Sequence, residues 1–293
     1  MASEPQRPAD ADCCGNGCRS CVFDIYEEEL KIWKRKNEPA SSSGQRLMSR
    51  DDYVQCVLTR VEPHCANVFL FHFRLPDDVR LVFDAGQHLI AQESGPEKTV
   101  CRPYTVASRP GSVAEFTVLI KLYERGLMSE LIRSRWNEGQ SVAWRGPIGD
   151  VEYQPRSRTH VLLIAAGTGL VPVFQLAQKI VEDEDEETRV TLFFCCRGFD
   201  KILLRQELRR LRGFWNFGCR FFLSDETQPE CGRHGESVCF SKLTVQRLQE
   251  EVANLQPEVS AETTAVFVCG PKPFESDVKN SLREMGWPQV HVF

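Results

Sequence analysis

The sequence has no run of about 20 apolar residues, which is the length that a helix needs to cross a bilayer. Residues 1–5 lack the hydrophobic core of a signal peptide, contain an acidic residue that suits a transit peptide poorly, and offer no glycine at position 2 for myristoylation. We therefore expect a cytoplasmic protein with no transmembrane segment. A mitochondrial location and peripheral membrane association are the alternatives.

Positive charge is also scarce, since 36 Lys and Arg residues face 41 Asp and Glu residues and leave a net charge of −5. This balance argues against nucleic acid as the main partner. Residues 182–187 are all acidic. We expect them to form a solvated loop between a helix and a strand.

Cysteine, by contrast, is abundant, but the 13 cysteines are odd in number and dispersed. Without a secretory signal, this usage predicts reduced thiols in a reducing compartment. Cys14, Cys18 and Cys21 lie close together before a predicted helix. Such thiols bind zinc or an iron–sulfur cluster if a fourth ligand is present, and Cys13 is adjacent. A metal site, a redox-active or docking thiol cluster and a structural role all remain open.

The length of 293 residues favours two domains, and the chain contains no internal repeat. The segment before these two domains is predicted to contain a short amphipathic helix, because its apolar residues recur at helical spacing, at Val22, Tyr26, Leu30 and Trp33. We predict an α+β two-domain fold with three segments, which are a cysteine-rich module and linker (1–48), an antiparallel β-barrel (49–155) and a parallel α/β domain (156–293).

The two predicted domains differ in their hydrophobic pattern. In the barrel region, Gly and Pro separate strand-like segments at residues 53–61, 68–75, 88–91, 115–122 and 141–144. One helix, beginning near Ser129, interrupts these strands. From residue 160 onward strands and helices alternate, which is typical of a parallel sheet that binds nucleotides at the carboxyl ends of its strands.

Residues 101–108 carry side chains that suit a flavin dinucleotide. Arg102 can form two hydrogen bonds to a pyrophosphate, Tyr104 offers an aromatic face, and Thr105 can bond to the edge of the ring system. Further on, Gly126 precedes a helix for which Ser129 is the predicted N-cap. The first N–H groups of such a helix would face an anion.

Two later turns suit a nicotinamide nucleotide. The apolar segment that ends at Ala166 leads into Gly167-Thr168-Gly169, and Pro172 then suits the first turn of a helix. The turn lacks the six-residue dinucleotide fingerprint. It indicates a nucleotide site because it follows the first strand of the second domain. The second turn, Cys269-Gly270-Pro271, follows the last crossover strand. Glycine lets the backbone approach a ligand closely.

The order of these motifs resembles the ferredoxin-reductase-type flavoproteins, and among them the NADH-cytochrome b5 reductases, from about residue 50 to the end. The segment before them resembles a short oxidoreductase-like domain. The family resemblance implies catalytic roles for Lys121 and Cys269, which would lie beside the flavin and the nicotinamide; a surface lysine and a buried structural cysteine are the alternatives. It implies cofactor contacts at Arg102, Pro103, Tyr104, Thr105, Leu119, Lys121, Gly126, Leu127, Met128, Ser129, Gly167, Thr168, Gly169, Val171, Cys269, Gly270, Pro271 and Phe293.

Three features depart from the family pattern. Ala166 replaces a usual glycine, and Val171 replaces a threonine that contacts the cofactors, so a hydrogen bond is lost. The loop before Gly126 is also shorter than in relatives. Arg125 in that loop either compensates with its charge or is merely exposed.

Coenzyme choice depends on Lys201, which occupies the place of an acidic residue that accepts the ribose 2′-hydroxyl in relatives. With Arg197 nearby, its charge would tolerate the 2′-phosphate of NADPH, although Asp200 is adjacent. We expect NADH on the overall resemblance, with NADPH as the alternative.

The sequence therefore predicts a monomeric FAD-dependent reductase that passes electrons from NADH to a haem protein such as cytochrome b5. One alternative is an NADPH-preferring flavin reductase with another acceptor. The other is a non-catalytic binding protein that retains the fold, which the change at Val171 and the short loop before Gly126 would explain.

Overall fold

The computed structural model describes residues 5–9, 22–35, 46–95, 98–149, 153–226, 235–255, 259–287 and 289–293. The chain forms two compact units. The first comprises Met1–Glu62, Leu70–Val118 and Leu122–Gly149, and the second comprises Pro63–Phe69, Leu119–Lys121 and Asp150–Phe293. The segment limits at residues 48 and 155 stay predictions.

The first unit is built mainly from antiparallel strands. Its elements in chain order are α1 (Val22–Arg35), β1 (Arg46–Leu47), β2 (Val54–Cys65), β3 (Val68–Arg74), β4 (Val79–Phe83), β5 (His88–Ser94), β6 (Thr99–Thr105), β7 (Gly111–Val113), β8 (Glu115–Lys121), α2 (Leu127–Arg135) and β9 (Ser141–Ile148). Six strands form a sheet in the order β6-β5-β9-β2-β3-β8. An antiparallel bridge between Val106 and Val118 joins its two ends, which closes the sheet into a barrel.

Aromatic side chains fill the barrel. Phe73 and Trp144 are completely buried, and their ring centroids lie 5.0 Å apart in an edge-to-face arrangement. Phe116 and Trp136 pack against both of these rings. Such pairs stabilise a core beyond the area that they bury, so this cluster gives β6 and β9 a rigid support.

The second unit is a parallel sheet with helical crossovers. Its elements are β10 (His160–Ala166), α3 (Leu170–Val181), β11 (Arg189–Cys196), α4 (Arg205–Leu211), β12 (Phe217–Leu223), β13 (Ser237–Cys239), α5 (Val245–Asn254), β14 (Thr264–Cys269), α6 (Lys272–Glu284) and β15 (Val290–Val292). The strand order is β13-β12-β11-β10-β14-β15. The chain moves outward in one direction from β10 and then crosses to β14, so the switch point where such sheets bind ligands lies between these two strands.

These two architectures confirm the predicted fold class, and the predicted strands and helices are present with shifts of a few residues. The short strands β1, β4, β7 and β13 were not predicted, because Pro, Gly or polar residues surround them and leave no clear alternation. No helix among the described residues combines the length and the hydrophobicity that crossing a bilayer requires.

The expectation of a solvated acidic loop at residues 182–187 is wrong for Glu186, which is only 5% exposed. Its carboxylate accepts hydrogen bonds from the Tyr153 hydroxyl at 2.9 Å, the Arg156 N–H at 2.8 Å and the Thr188 hydroxyl at 2.6 Å. Burial by itself would raise the pKa of Glu186, but these hydrogen bonds outweigh it, and the net pKa is lowered.

We expect Glu186→Gln to destabilise the second unit by about 2 kcal/mol at pH 7, because the donors around the carboxylate lose a charged acceptor. A carboxyl group whose pKa is lower in the folded state stabilises the fold above its unfolded pKa and loses that effect as the pH falls. The difference in unfolding free energy from the wild type should therefore shrink towards pH 3, as measured by urea denaturation. Glu187→Gln, at an exposed neighbour, is the control. A difference that stays constant or grows on acidification would contradict this assignment.

Candidate functional site

The predicted flavin residues lie on β6, which pairs with β5 through Arg102 opposite Ala91 and Tyr104 opposite Leu89. The bridge that closes the barrel lies beyond β6, at Val106, so Pro103, which lacks an N–H group, is tolerated on the side of β6 that faces away from β5. Burial raises the pKa of the Tyr104 phenol, and the nearby Arg102 guanidinium opposes this only in part. The phenol is therefore protonated at neutral pH and able to donate a hydrogen bond.

Helix α2 packs against β6, and Tyr123, in the loop before the helix, is close enough to Tyr104 to contribute to the rise in its pKa. The helix begins at Leu127 with Gly126 as its N-cap, so the prediction of Ser129 as the N-cap is wrong. Ser129 lies within the first helical turn instead, and its hydroxyl accepts a hydrogen bond from the Tyr123 N–H at 3.1 Å. This bond folds the loop back onto the helix, and helix geometry leaves the first N–H groups without partners inside the helix.

The side chains around that amino terminus divide into two groups. Met128 is buried in the core, whereas Leu127 is 39% exposed and Arg125 is exposed.

The donor set of the first unit fits FAD. A protonated phenol at Tyr104 and a hydroxyl at Thr105 suit the ring system, while the Arg102 guanidinium and the amino terminus of α2 suit a pyrophosphate. Arg102 is partly buried, and its Nη1 donates to the carbonyl oxygen of Cys101 at 2.6 Å. This bond holds the guanidinium against its own strand.

In the second unit the two glycine turns meet at the switch point of the sheet. Gly167 has a positive φ of 56°, which favours glycine. Gly169 has ordinary helical dihedral angles, but a Cβ atom there would lie 2.4 Å from the carbonyl oxygen of Cys269. Backbone contact with the second turn therefore requires glycine at position 169.

Ala166 does not disturb this turn. Its backbone is extended, with φ of −133° and ψ of 135°, so alanine is unstrained where relatives have glycine.

Cys269 lies at the end of β14, and burial, reinforced by Glu275, raises the pKa of its thiol to about 12. The thiol is therefore neutral and can act as a wall of a binding site rather than as a nucleophile. Glu275 accepts a hydrogen bond from the Gly270 N–H at 3.1 Å and pairs with Lys272 at 3.1 Å. Sequence reasoning missed Glu275, although an acidic residue in the first turn of a helix after Gly-Pro signals such a cap.

The remaining predicted contacts lie on or beside three different elements. Val171 is 2% exposed in the first turn of α3, and Leu119 is 5% exposed on β8. Lys121, at the end of β8, is exposed. Phe293 follows β15 and donates its backbone N–H to the Val268 carbonyl oxygen at 3.3 Å, which anchors the carboxyl terminus beside β14.

The thiols Cys14, Cys18 and Cys21 lie outside the described residues. Within the described part of the chain, no cluster of three or more His, Cys, Asp or Glu side chains is arranged to hold a metal ion.

Three protein-family models match the chain. They are "Oxidoreductase FAD-binding domain" over residues 55–153, "Oxidoreductase NAD-binding domain" over residues 163–280, and "Oxidoreductase-like protein, N-terminal" over residues 1–42. The mouse protein "NADH-cytochrome b5 reductase-like" is 33% identical over 99% of this chain and 94% of its own length. The chain belongs to the NADH-cytochrome b5 reductase-like family. It is thus an oxidoreductase with FAD and NAD as its cofactors.

Further relatives agree with this membership. The human "NADH-cytochrome b5 reductase-like" protein is 32% identical over 100% of this chain and 95% of its own length. The cytochrome b5 reductase domain of Ulva prolifera nitrate reductase has a TM-score of 0.70 at 20% identity and covers 85% of this chain and 100% of its own. A Neisseria gonorrhoeae ferredoxin NADP+ reductase, solved with FAD and NADP, has a TM-score of 0.70 at 16% identity over 83% of this chain and 98% of its own. These structures confirm the ferredoxin-reductase-type fold.

We expect Gly169→Ala to weaken NADH binding at least about tenfold and to destabilise the second unit by about 1–3 kcal/mol, because the added methyl group overlaps the Cys269 carbonyl. Fluorescence titration with NADH and thermal unfolding measure the two effects. Gly218→Ala is the control, since a Cβ atom there meets nothing within 4 Å. Equal NADH affinity in wild type and Gly169→Ala would show that the two turns do not form the coenzyme site.

Proposed function

We propose that the protein transfers electrons from NADH, by way of FAD, to a haem-protein acceptor such as cytochrome b5. The proposal is carried by the presence, in one chain, of a flavin-type donor set on β6 and α2 and a nucleotide-type pair of turns after β10 and β14. When bound, FAD supplies the conversion of a two-electron hydride transfer into single-electron transfer. The names of the curated relatives support cytochrome b5 as the acceptor class.

The residues of the first unit bind and orient the flavin in this proposal. Arg102 would pair with the pyrophosphate, to which the N–H groups at the start of α2 would donate hydrogen bonds, and Tyr104 and Thr105 would hold the ring system. Because Tyr104 is partly buried and protonated, it would contribute a hydrogen-bond donor without adding a negative charge beside the flavin.

The residues of the second unit orient the nicotinamide. Gly167 and Gly169 allow close approach of the backbone, and Glu275 holds the Gly270 turn in place. The neutral Cys269 thiol would provide an apolar contact to the nicotinamide ring without reacting with it. Lys121, which the family resemblance places beside both cofactors, would stabilise negative charge on the reduced flavin.

The arrangement after β11 supports NADH rather than NADPH. Lys201 forms an ion pair with Asp200, and Arg197 lies 3.8 Å from Asp225. Both cations that would attract a 2′-phosphate are therefore partly neutralised, and the Asp200 side chain, 73% exposed, is available to a ribose hydroxyl.

Anaerobic mixing of the purified protein with NADH should bleach the flavin absorbance near ~450 nm, and adding oxidised cytochrome b5 should restore it, because the flavin passes single electrons on. Stopped-flow spectroscopy that follows the flavin absorbance and the haem absorbance of cytochrome b5 measures the two steps. Flavin that NADH reduces but cytochrome b5 does not reoxidise would favour a different acceptor. A protein that binds FAD but is reduced by neither NADH nor NADPH would favour the non-catalytic binding protein, which the buried Val171 motivates.

Asp200→Asn should raise the efficiency of flavin reduction by NADPH relative to NADH about 2- to 5-fold, because it frees Lys201 for a 2′-phosphate. The range corresponds to the small free energy of an exposed ion pair. Stopped-flow flavin reduction with each coenzyme gives the ratio. Glu184→Gln removes an equally exposed charge elsewhere in the unit and should leave the ratio unchanged. An unchanged ratio in Asp200→Asn would place the ribose away from this turn.

A further inference from the structure

Helix α1, which belongs to the amino-terminal oxidoreductase-like segment, is part of the first compact unit. Among the side chains of α1 that the structure describes, Ile25 is buried, with 6% exposure. The helix also contributes one acidic side chain, Glu29, that is turned into the unit and is 21% exposed. Glu27 on the same helix is exposed. Burial of a carboxylate is unfavourable unless it is paired, so its partners decide what it does.

Three groups of the barrel surround the Glu29 carboxylate. The Tyr53 hydroxyl donates a hydrogen bond to its Oε1 at 3.0 Å, and the Cys101 thiol lies 3.7 Å from the same oxygen. The Nη2 atom of Arg145 lies 3.9 Å away. The Oε1 atom of Glu29 therefore contacts the segment before β2, strand β6 and strand β9.

The buried positive charge of Arg145 attracts the Glu29 carboxylate. The guanidinium has no solvent exposure, donates to the carbonyl oxygen of Arg50 at 2.6 Å and lies 5.5 Å from the centre of the Tyr53 ring. A carbonyl and an aromatic face solvate a cation but do not neutralise it. The Glu29 carboxylate of helix α1 contributes an opposite charge 3.9 Å from the guanidinium.

Cys101 connects this cluster to the flavin strand. Its thiol also lies 3.5 Å from the Tyr53 hydroxyl and 3.8 Å from the Gln92 amide nitrogen. Its carbonyl oxygen accepts the hydrogen bond from Arg102 Nη1 at 2.6 Å. A displacement of Cys101 therefore moves the atom that holds the guanidinium of the FAD motif.

We propose that Glu29 is a positioning residue, which locks the amino-terminal helix onto the barrel through Tyr53, Cys101 and Arg145 and thereby fixes Arg102 for FAD. The helix lock itself stands on these contacts alone, whereas the effect on FAD rests on the function proposed above. The lock also makes the amino-terminal segment an integral part of the flavin unit rather than a tethered appendage.

The test uses the full chain with Glu29→Gln, which keeps the shape and one acceptor but removes the charge. Hydrogen exchange of residues 22–35 and the alkylation rate of Cys101, followed by peptide mass spectrometry, report release of the helix. Both should increase at least about 5-fold, because they follow the population of the opened state. The dissociation constant for FAD should rise about 3- to 10-fold, as expected for weakening one hydrogen-bonded contact. The visible circular dichroism of the FAD that remains bound should also change.

Two further variants sharpen the result. Glu27→Gln, an exposed change two residues earlier on α1, should leave all four readouts at wild-type values. Tyr53→Phe keeps the ring over Arg145 but removes the donor to Glu29, so its effects and those of Glu29→Gln should be non-additive in the double variant. Additive effects would overturn the direct contact.

The remaining outcomes separate the lock from its consequence. Unchanged Cys101 alkylation and helix exchange in Glu29→Gln would overturn the lock. Increased alkylation with unchanged FAD affinity and dichroism, while Arg102→Ala lowers the affinity, would overturn the positioning role. If the wild type itself bound no FAD, the proposed function and the positioning role would both fail, and alkylation of Cys101 would still decide whether Glu29 locks the helix.

Discussion

The first unit is organised around one fully buried positive charge, the guanidinium of Arg145. A cation that has left water must be surrounded by acceptors, aromatic faces or carboxylates, and here these come from the Arg50 carbonyl, the Tyr53 ring and Glu29. Burial, reinforced by this charge, lowers the pKa of His88 to about 4, so the histidine is neutral and packed. Strand β9, the segment before β2 that contains Arg50 and Tyr53, and helix α1 therefore meet at the Arg145 side chain.

The second unit is organised instead by a steric constraint on the backbone. In a parallel sheet, the turns after two adjacent strands converge, and here Gly169 packs directly on Cys269. Gly270 is equally confined, since a Cβ atom there would lie 2.8 Å from the Phe274 ring. Alanine is tolerated at position 166 because that residue is still in extended strand geometry. The departure from the family's glycine therefore leaves the binding turn intact.

Each of the two proposed cofactor sites contains a side chain that would be reactive if it were ionised, and burial keeps that side chain neutral. Burial raises the pKa of the Cys269 thiol to about 12 and keeps the Tyr104 phenol protonated. Neither group can act as a nucleophile or base at neutral pH, which suits a protein whose chemistry is supplied by its cofactors. In the proposed function the chain contributes binding, orientation and fixed positive charge. The Arg102 side chain would contribute to all three.

The sequence by itself determined the fold class and the positions of the two glycine turns that we propose as the nicotinamide site. Alternating and continuous apolar segments, punctuated by Gly and Pro, are local signals, and the motifs around Arg102 and Gly167 lie within a few residues of those signals. Only the tertiary structure showed that Ser129 lies inside its helix, that Glu186 is buried in an acidic run, and that Glu29 meets Arg145. The last two depend on which segments pack together, since Glu186 meets Tyr153 and Glu29 meets Arg145 only in the folded chain. Burial and charge pairing between separate segments leave no periodic pattern in the chain, because they are decided by the packing of whole elements.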